Sequence, residues 1–364
     1  MNELPNRVYS LDVLRGLAAF SVVFWHWQHF FYEGKAPDQF SAESQPLYSI
    51  FTLLYTRGNL AVELFFSISG FVFFWLFSDA ISNGSMSARR FFVDRFSRLY
   101  PLHIVSFAAV GAMQFYYISS HPDFFVYQAN DAFHALLNIF MITAWGFEKG
   151  WSFNAPTWSV SIEVMLYSIF FIMFKVGKLK YVLTSIAIIA GYFIFPENHK
   201  IGIGIFAFFC GGLAYLLTRT VTGRIDARAA ATIATIVSVT AWIAIWKQSN
   251  LNMHLLTGIA FPSSVALLAL LDRQLQPVLS KVSAIGDMSY SSYLLHFPLQ
   301  MIFAMVIDSA GLPRTVFYNW WMLALFLAVL IPLCLASHRL FEVPAQRAIR
   351  KAYSNRQAAA LSRA

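Results

Sequence analysis

Apolar runs long enough to cross a lipid bilayer recur from one end of this chain to the other, and they leave little choice of architecture. In hydrocarbon every backbone N–H and C=O needs a partner inside the protein, so a spanning segment is either a helix or one strand of a closed barrel. The alternating ten-residue pattern of barrel strands is absent. With 58% hydrophobic and 12% charged residues and a mean hydropathy of +0.58, the chain is far from a soluble domain. It reads as an all-α, polytopic integral membrane protein. A window of about 19 residues marks about ten transmembrane helices, at 11–31, 59–78, 99–119, 156–175, 181–195, 201–218, 229–246, 254–271, 289–307 and 319–340. A shorter apolar segment, 132–145, is expected to be re-entrant or interfacial. The first run contains Arg15 and ends in Trp25-His26 rather than at a small-residue cleavage site, so it is expected to stay as a helix.

Alternating the spans from a cytoplasmic N-terminus gathers Arg89, Arg90, Arg95 and Arg98, Lys175 and Lys180, Arg219, Arg224 and Arg228 and the bases of the tail on one side. The other side keeps only the scattered Lys35, Arg57, Lys149, Lys200, Lys247 and Arg314. This asymmetry expects both termini in the cytoplasm, and it explains most of the net charge of +8 without invoking nucleic acid. Residues 1–344 then form one membrane domain and 345–364 a polar cytoplasmic tail. Cys210 and Cys334 lie inside apolar runs and read as packing residues.

Ionisable side chains inside the spans are costly unless they pair or line a cavity, so they mark the places where function is expected. In the first span Arg15 and His26 are eleven residues apart, three helical turns plus about 20°, which puts them on one face of an α-helix. Asp12 lies three residues before Arg15 and can neutralise it, and Gly16, Ala19 and Val22 keep the stripe narrow. In the second span Glu63, Ser67 and Gly70 share a face, and Ser67-Ile68-Ser69-Gly70 suits close helix packing as well as it suits a channel lining. The fourth span opens Pro156-Thr157-Trp158-Ser159, with Glu163 one turn beyond Ser159. His26, Glu63 and Glu163 thereby fall at one level of the outer leaflet, a set suited to general acid and base chemistry or to proton relay.

Residues 88–101 carry Arg90, Arg95 and Arg98 opposite an apolar face and are expected to form an interfacial amphipathic helix, whose arginines would hold phosphates or lipid headgroups. In the ninth span Pro298 is expected to free backbone carbonyls around Tyr293 and Leu294, while His296 enters at the depth of the inner half. His29 is an auxiliary candidate near the outer interface. The remaining histidines lack ligand spacing, so no metal is expected.

Taken together, Tyr9-Ser10-Leu11-Asp12 with Leu14-Arg15-Gly16 and His26, Glu63-Leu64-Phe65-Phe66 with Ser69-Gly70-Phe71, the basic stretch from Arg90 to Pro101, Thr157-Trp158-Ser159 with Glu163, and Ser289-Tyr290, Tyr293 and His296 resemble the bacterial acyltransferase-3 family. Its members are multi-pass O-acyltransferases of the inner membrane that acetylate surface polysaccharides, lipopolysaccharide, peptidoglycan, exopolysaccharides or small glycosides. The resemblance implies acetyl-CoA or another acyl-CoA as donor substrate, no permanently bound cofactor, and a glycan or glycolipid acceptor outside. It implies that Arg90, Arg95 and Arg98 hold the CoA phosphates, and that the pantetheine arm follows the stripe from Arg15 to His26. His26 would act as general base or carry the acyl group, Glu163 or Glu63 would orient or reprotonate it, and Arg15 paired with Asp12 would position the donor. Ser69, Gly70, Trp158, Ser159, Tyr293 and His296 would line the substrate channel, and the chain would work without an appended hydrolase-like domain. A proton-coupled secondary transporter is the rival reading of the same buried charges, although no inverted repeat supports it.

Overall fold

A computed structural model describes residues 7–38, 40–176 and 179–361. The described residues are all-α apart from a short hairpin, in which Tyr32–Glu33 pairs antiparallel with Ala36–Pro37. The main helices are α1 (Tyr9–Trp25), α2 (Tyr48–Arg57), α3 (Ala61–Ser82), α4 (Ala88–Tyr117), α5 (Ala132–Ile139), α6 (Trp158–Lys175) and α7 (Lys180–Ile194). They continue with α8 (His199–Thr222), α9 (Ala227–Trp246), α10 (Phe261–Leu279), α11 (Ser289–Ser309), α12 (Trp320–Ala336) and α13 (Val343–Leu361). Every expected span coincides with a helix. Among the described residues, seven helical stretches are long and apolar enough to cross a membrane. The first, third and fifth spans fall outside that set: α7 has 15 residues, α1 carries Asp12 and Arg15 and runs on into His26 and His29, and the apolar half of α4 is interrupted by His103 and Gln114.

The backbone corrects one expectation and adds detail to two others. Residues 88–101 are not a separate interfacial helix: α4 runs without a break through Pro101 for 30 residues. The 132–145 segment is helical for only eight residues and then turns, with Met141 in the left-handed region. The polar tail is helical as far as Leu361, and its Arg350 pairs with Asp94 of α4 at 3.0 Å while Arg89 lies over the Tyr353 ring. The last three tail residues lie outside the described residues.

Two compact units divide the chain. One comprises the described residues of Met1–Ala18, Leu60–Ser87 and Ile162–Gly286, and the other Ala19–Asn59, Ala88–Ser161 and Asp287–Ala364. In the first, α3 and α8 approach until their backbones touch: a Cβ on Gly70 would fall on the Phe208 carbonyl, and one on Gly211 on the Ser67 carbonyl. The small residues of α3 therefore serve helix packing, the reading left open by the sequence, because without them the two axes could not approach so closely. Gly16 of α1 is closed off in the same way by the Ile285 carbonyl, so its side of the expected stripe is filled with protein. The α1 N-terminus is held by α10, with the Ser10 N–H donating to Asp272 at 2.7 Å and the Ser10 hydroxyl to the Leu268 carbonyl at 2.9 Å. A carboxylate there satisfies an orphan N–H and complements the helix dipole.

The second unit has an aromatic core built on Trp27, Phe30, Phe297, Phe317 and Phe326. Trp27 donates its indole N–H to the Phe317 carbonyl at 3.0 Å. Arg314 grips Asp308 with two bonds of 2.6 Å and donates to the Phe30 carbonyl at 2.8 Å. Pro298 behaves as expected. It cannot donate to Leu294, and the freed Leu294 carbonyl accepts instead from the amide of the fully buried Asn154 at 2.9 Å. Asn154→Ala strands that carbonyl, so a loss of about 1–3 kcal/mol is expected, read as a lower thermal midpoint in detergent.

Candidate active site

The α-helical geometry of the first span ends at Trp25. From His26 to Phe31 the backbone is a 3-10 helix, in which residues three apart eclipse one another. Trp27 and Phe30 thereby enter the aromatic core together, and the His26 and His29 rings stand over each other with centroids 4.6 Å apart. The core supplies the reason for the tighter winding, since four of these six residues are buried. The eleven-residue α-helical phase between Arg15 and His26 therefore stops one residue short of His26, and the two side chains belong to different units.

α11 brings His296 to the same place. Its Nε2 lies 3.1 Å from Nδ1 of His26, and the rings stack at 5.0 Å with 16° between their planes. The expected placement of His296 in the inner half is thus corrected: it stands level with His26. Hydropathy windows mark which residues are apolar but not the level at which a helix begins, and α11 follows a short helical segment, Ala284–Asp287, rather than a surface loop.

The partners assign the protons. Nδ1 of His296 faces the Ser292 carbonyl at 3.1 Å, which can only accept, so His296 carries its proton there and offers Nε2 as an acceptor. His26 then donates from Nδ1, its ring also bonding the Val22 carbonyl one turn back, and this neutral tautomer leaves the lone pair on Nε2. His26 is half-buried, so that nitrogen is the reactive end of the pair. A second network lies beside it. The Gln300 amide donates to the His26 carbonyl at 2.9 Å, which orients its oxygen towards Nδ1–H of His29 at 3.1 Å. Nε2 of His29 is left to accept from the Tyr127 hydroxyl at 3.2 Å. Burial, reinforced by the neighbouring Tyr32 and Tyr293 phenols, holds the Tyr127 hydroxyl well above its ordinary range, so it keeps its proton to donate. His29 is buried.

Tyr293 donates to the Pro156 carbonyl at 2.5 Å and lies 2.7 Å from the Ser159 hydroxyl, fixing the start of α6 against α11. Trp158, one residue before Ser159, is half-buried. The other expected residues gather in the first unit. Asp12 holds Arg15 at 2.9 Å, as the spacing suggested, and also Arg7 at 2.7 Å. Ser69 donates to Glu163 at 2.9 Å, a pairing that the assignment of Glu63, Ser67 and Gly70 to one face had not suggested. Glu63 is buried, with one carboxylate oxygen unpartnered. On α4, Arg90 and Arg98 are exposed and Arg95 is half-buried. Gln300 and Tyr127 were missed. Gln300 carried a usable signal, being an amide one turn after His296 in an apolar span. Tyr127 sits in an irregular segment and carried none.

A sequence profile of the acyltransferase domain matches residues 8–339. The chain belongs to the acyltransferase-3 family. Among curated relatives, this acyltransferase-3 chain is 29% identical over 178 residues to the acyltransferase MdmB of Streptomyces mycarofaciens, covering 48% of this chain and 42% of that protein. It is 32% identical over 108 residues to protein 2 in the picA locus of Rhizobium radiobacter, covering 30% of this chain and 46% of that one. It thus spans less than half the length of either. ORF330 of the Acidianus two-tailed virus is 25% identical over 309 residues, 80% of this chain and 83% of its own length. No solved structure matches the chain.

Proposed function

We propose that the chain is a membrane O-acyltransferase that moves an acyl group, acetyl in the first instance, from cytoplasmic acyl-CoA to a hydroxyl of an extracytoplasmic glycan or glycoside. The observation that carries this reading is the lone pair on Nε2 of His26, prepared by the relay from the Ser292 carbonyl through His296. Nε2 takes the proton of the acceptor hydroxyl as its oxygen attacks the thioester carbon. The tetrahedral adduct then collapses, the C–S bond breaks, and the same proton passes to the leaving sulfur, giving ester and free CoA thiol. A neutral imidazole, rather than a carboxylate, orients the base, so the charge formed in the transition state is shared by two rings. The orienting role first expected of Glu163 or Glu63 passes to His296.

The basic start of α4 supports the donor assignment. Arg90, Arg95 and Arg98 carry guanidinium groups suited to the CoA phosphates. The excess of basic residues on one set of loops supports a donor side in the cytoplasm, as in a bacterial inner membrane. The protein is tested in vesicles containing acetyl-CoA with a neutral glycan outside. Release of CoA thiol that depends on the acceptor is expected, whereas solute flux without thiol release would mark a transporter and sink the reading. His296→Phe preserves a ring but removes the acceptor for His26, and a loss of kcat on the order of 100-fold is expected with donor KM little changed.

A further inference from the structure

Gln300 is fully buried in α11, one turn beyond His296, and its single amide makes bonds at both ends of the first 3-10 turn, to the His26 carbonyl and to the His29 ring. Tyr127 closes the network from the far side of His29. A 3-10 turn is held by poorer hydrogen bonds than an α-helix, so its placement depends on outside ties. We propose that Gln300 is a positioning residue for the acyl-transfer reaction, fixing the stance of His26 by clamping its backbone and its stacked neighbour to the helix that carries His296, with Tyr127 completing the clamp. The inference rests on the acyl-transfer reading and extends it to residues that touch neither substrate nor the reacting nitrogen.

The network distinguishes this role from bulk packing, because it needs Gln300 to donate once and accept once. A protonated glutamic acid reproduces that pattern, its carbonyl accepting from His29 and its O–H donating to the His26 carbonyl. An ionised glutamate can only accept. The titratable groups around the position are His26 and His29 of the 3-10 segment, His296 and Tyr293 of α11, Tyr127 of the segment before α5, and Tyr32 of the hairpin. Arg314 and Asp308 pair with each other beyond Phe30. Gln300 itself bonds the His26 carbonyl and the His29 ring, neither of them a carboxylate, so an ionisation introduced at 300 is a new event.

The test measures CoA-thiol release across pH for wild type, Gln300→Glu and Tyr127→Phe, with elution in detergent as the control for folding. The ratio of Gln300→Glu kcat to wild-type kcat is expected to fall on the order of tenfold as pH rises through the glutamate titration, with donor KM unchanged. Tyr127→Phe, which removes one hydroxyl, is expected to lower kcat by about threefold to tenfold at every pH, again without a change in KM. A ratio independent of pH, wild-type kcat in both variants, or an effect confined to KM would overturn the proposal. If wild type releases no thiol, the acyl-transfer reading falls and takes this inference with it. If wild type is active and His26→Ala is not, while both variants match wild type, only this inference falls.

Discussion

His26→Ala is expected to lower kcat for acceptor-dependent thiol release by about 10²–10⁴-fold, the range that a positioned general base contributes. The side chain is half-buried and its ring bonds go to His296 and to the Val22 carbonyl, outside the aromatic core, so its removal leaves the packing of Trp27, Phe30 and Phe317 in place. Expression, insertion and the detergent elution profile are therefore expected to match wild type. If rate and fold were lost together, the histidine would be a structural residue of the 3-10 segment and the relay would have no catalytic meaning.

The second large effect is expected in the first unit. Gly70 of α3 faces the Phe208 carbonyl so closely that even a methyl group collides with backbone on α8, and no flexible side chain is there to move aside. Gly70→Leu is expected to separate the two helices and abolish accumulation of folded protein, at a cost above the roughly 1–3 kcal/mol of ordinary overpacking. Gly111→Ala in α4 is the matched control, since a Cβ there meets only the Phe153 ring at 3.7 Å. Exchanging a mid-helix glycine for alanine is worth about 1 kcal/mol in helix propensity, so that variant is expected to be neutral or stabilised in a thermal melt. Equal loss in both would mean that α4 tolerates a methyl group no better than the α3–α8 contact does.

Much of the fold was legible because hydropathy alone selects the helices, and local rules then read correctly wherever partners are close in sequence. The Asp12–Arg15 pair follows from its spacing, and Pro298 announced a freed Leu294 carbonyl without naming Asn154 as its partner. Depth was harder. His26 and His296 were assigned to different levels because residue counts assume helices that begin at the membrane surface and keep one winding throughout. The change to 3-10 winding at His26 comes from the burial of Trp27 and Phe30 against Phe317 and Phe326, nearly 300 residues away, which no window can sense. Gly70 shows the converse limit. Its smallness was visible in the sequence, but only the position of Phe208 decides that it serves packing.

The most direct measurement is the mass of extracytoplasmic glycans from cells carrying the wild-type chain, the folded His26→Ala chain, or neither. Acetyl-sized or other acyl-sized increments in the wild type alone are the expected result, and they would identify donor group and acceptor together. The same increments in cells carrying only His26→Ala protein would contradict the account.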